Sequence, residues 1–183
     1  TETPNLNAFM EQYGMTKTDG YIADMQRCYQ GNYYYIFPEI SASGDLGDGL
    51  ESEMVLLVNS AGFTVQEDLR DTLSVTQVMT TSSDGYAVTE DAQTQGEYTL
   101  AAVAEEDDAK LTVLASESMI NSQITEYFSN LDNTRLFLNL VMNNFDDVEN
   151  LSIEAKSLSA ELNTVQHAGA ISTALIFGVP AVV

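Results

Sequence analysis

One stretch of the chain constrains the fold more than any other. Residues 111–115 form a short apolar run, the next residues are polar and cap-forming, and residues 133–143 return to an amphipathic pattern. The run is typical of a strand, and the later pattern is typical of a helix that places Leu136 and Leu140 on one face. The end of a buried strand then faces the start of a helix. Since α/β folds usually bind ligands at such an edge, it is the first place to look for a site.

The remaining patterns predict further strands and helices. A first helix at 4–13 ends at Gly14, and another at 118–128 is predicted to turn Ile120, Ile124 and Tyr127/Phe128 inward. The continuous apolar run 53–59 is typical of a parallel strand that is covered on both faces. Other strands are predicted at 33–37, 63–65, 73–79, 98–104, 110–115 and 151–155, with 98–104 and 110–115 forming a hairpin and 80–96 a long polar connection. The predicted fold class is α/β.

The charge of the chain limits its partners. Six Lys and Arg residues stand against 28 Asp and Glu residues, which gives a formal net charge of −22. A surface of that sign repels nucleic-acid phosphates and anionic lipid headgroups, so neither is expected as a direct partner. The single cysteine, Cys28, excludes an intrachain disulfide and a cysteine-based metal site.

The C-terminal residues 171–183 are free of charge and largely apolar. This run is too short to cross a bilayer, which takes about 20 residues. It is either a buried terminal element or the start of a truncated C-terminal transmembrane helix, in which Gly178 and Pro180 are tolerated. Residues 156–170 before it are weakly amphipathic and are interpreted as a stalk.

The inventory of reactive side chains yields no catalytic set. Cys28 lies in a polar extended region, and the only histidine, His167, lies near the C-terminus. Ser116 and Ser118 follow a strand but lack the glycines of a nucleophile elbow, so a helix-capping role is favoured for either serine. The acidic loop at 41–52 lacks the spacing of a calcium-binding EF-hand. Glycine-rich phosphate-binding motifs are also missing from the sequence.

Four segments in order resemble motifs of a known family. Residues 3–14 end in Tyr-Gly, residues 113–120 read Val-Leu-Ala-Ser-Glu-Ser-Met-Ile, residues 132–140 read Asp-Asn-Thr-Arg-Leu-Phe-Leu-Asn-Leu, and residues 151–156 read Leu-Ser-Ile-Glu-Ala-Lys. Together they resemble the extracytoplasmic domain of ABC-transporter auxiliary proteins related to the gliding-motility protein GldG. The chain departs from the family where Ala115 replaces a glycine and Glu117-Ser118 replaces a Ser-Asp pair.

The resemblance implies a specific fold and organisation. The fold is expected to be a flavodoxin-like or class I glutamine amidotransferase-like sheet flanked by helices and lacking its first strand. Residues 1–155 would form the extracytoplasmic α/β domain, 156–170 the stalk and 171–183 the start of the membrane helix. The protein would lie in the bacterial cell membrane with this domain facing the extracytoplasmic side.

The function implied by the resemblance is that of a non-catalytic accessory domain. Its expected partners are the permease and ATPase subunits of the same ABC system, contacted without a cofactor or metal. The candidate residues at the strand end, with a ligand or structural role, are Ser116, Glu117, Ser118, Asn133 and Asn139. Two alternatives stay open: an α/β hydrolase-like or solute-binding domain that acts on carbohydrate or peptide, and a soluble interaction module with no link to transport.

Overall fold

The centre of the fold is a pair of antiparallel strands, Leu73–Thr80 and Thr99–Glu106, each eight residues long. The structure, a computed structural model, describes residues 3–128 and 130–145, all of which belong to one unit, Thr1–Val148. Its helices are α1 (Pro4–Gln12), α2 (Ser122–Tyr127) and α3 (Asn133–Met142), with 3₁₀ helices at Gly44–Gly47 and Glu117–Ile120. Its strands are β1 (Met15–Lys17), β2 (Tyr21–Asp24), β3 (Cys28–Tyr29), β4 (Asn32–Ile36), β5 (Glu39–Ile40), β6 (Leu57–Val58), β7 (Phe63–Val65), β8 (Leu73–Thr80), β9 (Gly85–Val88), β10 (Gln93–Gln95), β11 (Thr99–Glu106) and β12 (Ala109–Leu114).

The described strands form three antiparallel sheets. The largest has the order β1-β7-β11-β8-β5, and β12 also pairs with β11. The smaller sheets have the orders β10-β9-β2 and β3-β4-β6. The predicted hairpin is confirmed, since β11 and β12 pair from Ala101↔Leu114 to Glu106↔Ala109. Asp107 in its turn has a φ of 49°, a conformation that Asp tolerates better than most residues.

The general prediction of a mixed α and β fold is confirmed, but a flavodoxin-like arrangement is not. That fold is built on parallel strands, whereas every strand pair in the described part of the chain is antiparallel. An amidotransferase-like sheet fits poorly for the same reason. The connections explain the difference, because a two-residue turn such as that between β11 and β12 can join only antiparallel neighbours.

Strand β11 is buried on both faces, which explains its unbroken apolar sequence. Ala101 and Val103 belong to one core cluster, which includes Leu136 and Leu140 of α3. The intervening alanines of β11 belong to a second cluster, which includes Met10 of α1. Side chains alternate across a strand, so the two clusters lie on opposite faces of the large sheet.

Several other predictions are confirmed or corrected. The helix at 4–13 is confirmed as α1, and Gly14 ends it with a φ of 70°. Residues 80–96 were expected to be a polar connection, which is wrong, because they contain β9 and β10. The side chains of β10 are all exposed, so that strand carries no apolar signal. The run 53–59 was expected to be a parallel strand, but only β6 is regular and it pairs antiparallel with β4.

The helix predicted at 118–128 is also wrong as a single element. The chain forms the 3₁₀ helix Glu117–Ile120 and then restarts as α2, whose N-terminus is capped by Asn121. As a result Ile120 and Tyr127 are 60% and 78% exposed rather than inward, and Met119 is buried instead. The expected strand at 151–155, the stalk, the membrane helix and His167 lie outside the described residues. Within residues 3–128 and 130–145, no helix is both long and apolar enough to span a membrane.

The packing of α3 against the large sheet can be tested with one pair of substitutions. Leu136→Ala should lower the free energy of unfolding by about 2–5 kcal/mol, because Leu136 is fully buried and the change leaves a cavity. Leu138→Ala on the same helix is the matched control, since Leu138 is 44% exposed and should change stability by less than about 0.5 kcal/mol. Urea denaturation at pH 7 measures both. Equal losses in the two variants would contradict this placement of α3.

Candidate functional site

The predicted strand end opens into a cleft of about 470 Å³, called here the strand-end cleft. Three of the five candidate residues line it: Ser116, Glu117 and Ser118. Tyr21, Val58, Asn59, Ala61, Ala115, Asn121 and Ile124 complete the lining. The cleft lies where β12 ends and the 3₁₀ helix begins. Asn133 and Asn139 are not part of this lining, so the structure separates the candidate residues into two groups.

The hydroxyl groups of Ser116 and Ser118 form a closed ring with the backbone of Val58. The Val58 N–H donates to Ser118 Oγ at 2.9 Å, and Ser116 Oγ donates to the Val58 carbonyl at 3.3 Å. The two hydroxyls are 2.7 Å apart, so Ser118 can donate to Ser116 and close the ring. Ser116 also accepts a hydrogen bond from the Ser118 N–H, which makes it the N-cap of the 3₁₀ helix. The capping role expected for a serine here is thus confirmed for Ser116.

Asn133 pairs in the same way with the backbone of Leu56, two residues before Val58. Its Oδ1 accepts from the Leu56 N–H and its Nδ2 donates to the Leu56 carbonyl, both at 2.9 Å and both buried. Residues 56 and 58 of an extended chain point their backbone groups to the same side. The opposite side faces β4, where the Asn59 N–H donates to Tyr34. Side chains therefore replace a neighbouring strand along one edge of this segment.

Asn139 and Asp132 attach the preceding loop to α3. Asn139 Nδ2 donates to the carbonyls of Leu46 at 3.0 Å and Asp48 at 2.8 Å. The Asp132 carboxylate accepts from the N–H groups of residues 51, 52 and 53, at 3.3, 2.8 and 2.8 Å, and from the Ser52 hydroxyl at 2.9 Å. Asp132 was not singled out from the sequence. Its position directly before a predicted helix was the available signal, but it serves a distant loop and makes no capping bond to α3.

Burial and hydrogen bonding act in opposite directions on Asp132. Burial raises the pKa of this carboxyl group, but the hydrogen bonds from the Ser52 hydroxyl and the three backbone N–H groups lower it more. The net pKa lies below the ordinary value of 3.8. The carboxylate is thus held in its charged form by donors that are fixed in the loop.

A second buried carboxylate was also missed in the sequence. Asp24 is fully buried and accepts hydrogen bonds from the N–H groups of Gln26, Arg27 and Ser82 and from the Ser82 hydroxyl, at 2.7–2.9 Å. It joins the end of β2 to the loop after β8. The Asp-x-x-Arg turn was the only sequence signal. Because its oxygens are occupied by backbone and hydroxyl donors, we interpret Asp24 as structural.

No reactive pair is assembled among the described residues. The hydrogen bonds of the two serines involve each other and Val58, without a basic side chain. Cys28 is half-buried, and its thiol contacts the Met25 carbonyl at 3.9 Å. Within the part of the chain that the structure describes, no group of three or more His, Cys, Asp or Glu side chains is arranged to hold a metal ion. The exposed Glu117 is the one ionisable candidate in the cleft.

The role of Asn133 can be measured directly. Asn133→Ala should lower the free energy of unfolding by about 2–5 kcal/mol, because it leaves a buried N–H and a buried carbonyl of Leu56 without their partner. Asn139→Ala is the matched control and should cost about 1 kcal/mol, since water can replace its amide at the more exposed carbonyls. Urea denaturation measures both, and amide hydrogen exchange at Leu56 should accelerate only in Asn133→Ala. An unchanged exchange rate would contradict the proposed pairing.

The depressed pKa of Asp132 predicts a pH dependence. Its contribution to stability is fully present above pH 3.8, the ordinary pKa, and is lost as the pH falls through the lower pKa of the folded state. Asp132→Asn removes this contribution. The difference in unfolding free energy between the wild-type protein and the variant should therefore be larger at pH 7 than at pH 2.5, as measured by urea denaturation. Equal differences at both pH values would show that the charge of Asp132 does not contribute to the unfolding free energy.

Comparisons with known proteins leave the family open. A scan against protein-family models and searches of curated proteins and of solved structures find no match to the chain. The resemblance to the GldG-related family therefore stays an expectation that rests on the sequence segments quoted above.

Proposed function

We propose that this chain supplies a non-catalytic, extracytoplasmic accessory domain of a membrane-anchored ABC-type transport system. In this role it contacts the permease and ATPase subunits of the same system, or a weakly bound ligand, through its surface. The observation that carries the proposal is that four of the five candidate side chains form hydrogen bonds within the domain. Ser116, Ser118, Asn133 and Asn139 all hydrogen-bond to the backbone of residues 46–58. The polar groups of these side chains thus hold residues 46–58 in place.

The hydrogen bonds of the two serines argue against nucleophilic catalysis. A serine nucleophile needs a neighbouring base that accepts its proton. The Ser116 hydroxyl instead donates to a backbone carbonyl, and the Ser118 hydroxyl accepts from a backbone N–H. Releasing either hydroxyl for chemistry would leave a polar group of the partly buried Val58 without its partner. Such a cost is expected of structural serines rather than catalytic ones.

The transport link is supported by the sequence. The segments that resemble the family include residues 113–120 and 132–140, which are the segments that bring these structural side chains together. The apolar run 171–183 supports a membrane anchor. The net charge of −22 favours a solvated surface that does not lie on anionic lipid.

The strand-end cleft keeps a second function in consideration. It is polar, has a volume of about 470 Å³ and is lined by the exposed carboxylate of Glu117 and by Asn121. Carboxylates and amides bind the hydroxyl groups of carbohydrate and the N–H groups of peptide. A solute-binding domain of this kind would use Glu117, and a hydrolase would in addition need Ser116.

The transport proposal is tested with the full-length protein in membranes. An affinity-tagged copy, solubilised in mild detergent, should co-purify with the ABC permease and ATPase that are encoded beside it. The matched control is the same tagged protein without residues 1–148, which should retain less than about a tenth of either subunit. Full co-purification without this domain, or none with it, would contradict the proposal.

Two substitutions distinguish the accessory domain from the hydrolase or solute-binding domain. Ser116→Ala removes the hydrogen bonds of this hydroxyl to the Val58 carbonyl, to Ser118 Oγ and to the Ser118 N–H. It should lower the unfolding free energy by about 1–2 kcal/mol, while co-purification of the transport subunits stays unchanged. Glu117→Gln removes the exposed carboxylate and should change neither the unfolding free energy nor the co-purification of the transport subunits. Calorimetric titration of the wild-type domain with oligosaccharides and with peptides provides the contrary outcome. Binding that Glu117→Gln abolishes would favour the second function.

A further inference from the structure

A separate apolar groove lies between α1 and β12, on the face of the large sheet that carries the second core cluster. We call it the α1–β12 groove, and its volume is about 330 Å³. Leu6, Phe9 and Met10 of α1 form one wall, and residues 111–115 form the other. Phe63 of β7 and Lys17 of β1 complete the lining, together with residues 61 and 62. The groove contains none of the five candidate residues, and it shares only Ala61 and Ala115 with the lining of the strand-end cleft.

The apolar surface of this groove is left uncovered by the described residues. Leu6 and Phe9 are 51% and 44% exposed, although they share a helix with the buried Met10. Phe63 is fully buried at its base. Leu6, Phe9 and Met10 recur at helical spacing in α1, and the structure leaves Leu6 and Phe9 open towards the groove. Exposed apolar side chains around a concave surface are typical of a binding site.

The charge at the groove is the reverse of the charge of the chain. Its lining contains one ammonium group, that of Lys17, and no carboxylate. Lys17 lies opposite Phe63 in the β1–β7 ladder, and its Nζ contacts the Thr18 carbonyl at 3.5 Å. Among the described residues no carboxylate lies within 4.0 Å of this ammonium, whereas Arg27, Arg70 and Lys110 each pair with a glutamate. A single cation at the rim of an apolar groove complements an anionic head on an apolar tail.

We propose that the α1–β12 groove binds the alkyl chain of a free fatty acid, with the carboxylate on Lys17 Nζ. The tail then lies against Leu6, Phe9 and Phe63 and covers the apolar surface that the described residues leave open. A peptide is a poorer fit because its many backbone polar groups need partners. The lining offers them few, since most of its side chains are apolar. This inference does not depend on the transport proposal.

The test is calorimetric titration of the protein with octanoate, decanoate and dodecanoate, with decanol as the uncharged probe. The dissociation constant should fall about threefold to fourfold for each added methylene until the groove is filled. Lys17→Gln should weaken decanoate binding about threefold to tenfold and leave decanol binding unchanged. Arg135→Gln, an equal loss of charge at an exposed position on α3, should leave both unchanged. Phe9→Ser should weaken both ligands, whereas Leu138→Ser, at an equally exposed apolar side chain, should weaken neither.

Each contrary result overturns the proposal in a recognisable way. No decanoate binding at millimolar concentration shows that the groove does not take an alkyl carboxylate. If Lys17→Gln changes neither the dissociation constant of decanoate nor that of decanol, the groove is an apolar site that does not recognise the anion. Vesicle binding without binding of free decanoate assigns the groove to a membrane surface. Concentration-dependent dimerisation that Phe9→Ser abolishes, with no ligand binding, assigns it to a second copy of the chain. Circular dichroism of each variant confirms that it is folded before it is compared.

Discussion

The structure depends on how the backbone polar groups of residues 51–58 are paired. Val55, Leu56 and Leu57 of this segment are buried in the core, and only two of its residues form a regular strand. A buried peptide group without a partner costs about 1–3 kcal/mol, so an extended segment beside one short strand would be unstable by itself. Hydrogen bonds from the 3₁₀ helix and the start of α3 supply the missing partners. These bonds join residues 51–58 to Ser118, Asp132 and Asn133, which lie 60 to 81 residues later in the chain.

This arrangement explains why a strand end rich in polar residues need not be an active site. In many α/β proteins, polar residues after a strand bind a ligand because their hydrogen-bonding groups remain free. Here the groups of Ser118 and Asn133 are buried and paired with the backbone at 2.9 Å. Similar residue types at a similar place in the chain thus serve a different purpose. Among the described residues that line the strand-end cleft, Glu117 is the one with an exposed charged group, which is why any ligand role would rest on it.

The sequence predicts elements whose signal is local and misses features that depend on distant partners. Helices α1 and α3 and the β11–β12 hairpin follow from periodicity and turn residues, and all are present. The parallel strand predicted at 53–59 was wrong, because an apolar run that is buried on both faces also occurs in a segment with antiparallel pairing, as β6 shows beside β4. The pairing of Asn133 with Leu56 spans 77 residues, and no local pattern encodes it. The position of the strand end could be predicted from the sequence, but the pairing of its side chains with the backbone of residues 56 and 58 could not.

The strand-end cleft and the α1–β12 groove differ in the physical basis of any binding. At the strand-end cleft, the hydroxyl groups of Ser116 and Ser118 are bonded to the backbone, so a ligand that used them would have to compete with hydrogen bonds that stabilise the protein. At the α1–β12 groove, the exposed Leu6 and Phe9 lose contact with water when a ligand binds, and no internal hydrogen bond must break. The ammonium of Lys17 is a further favourable contact in a chain that otherwise repels anions. Binding by this domain is therefore expected to depend on apolar surface at one helix rather than on the polar strand end.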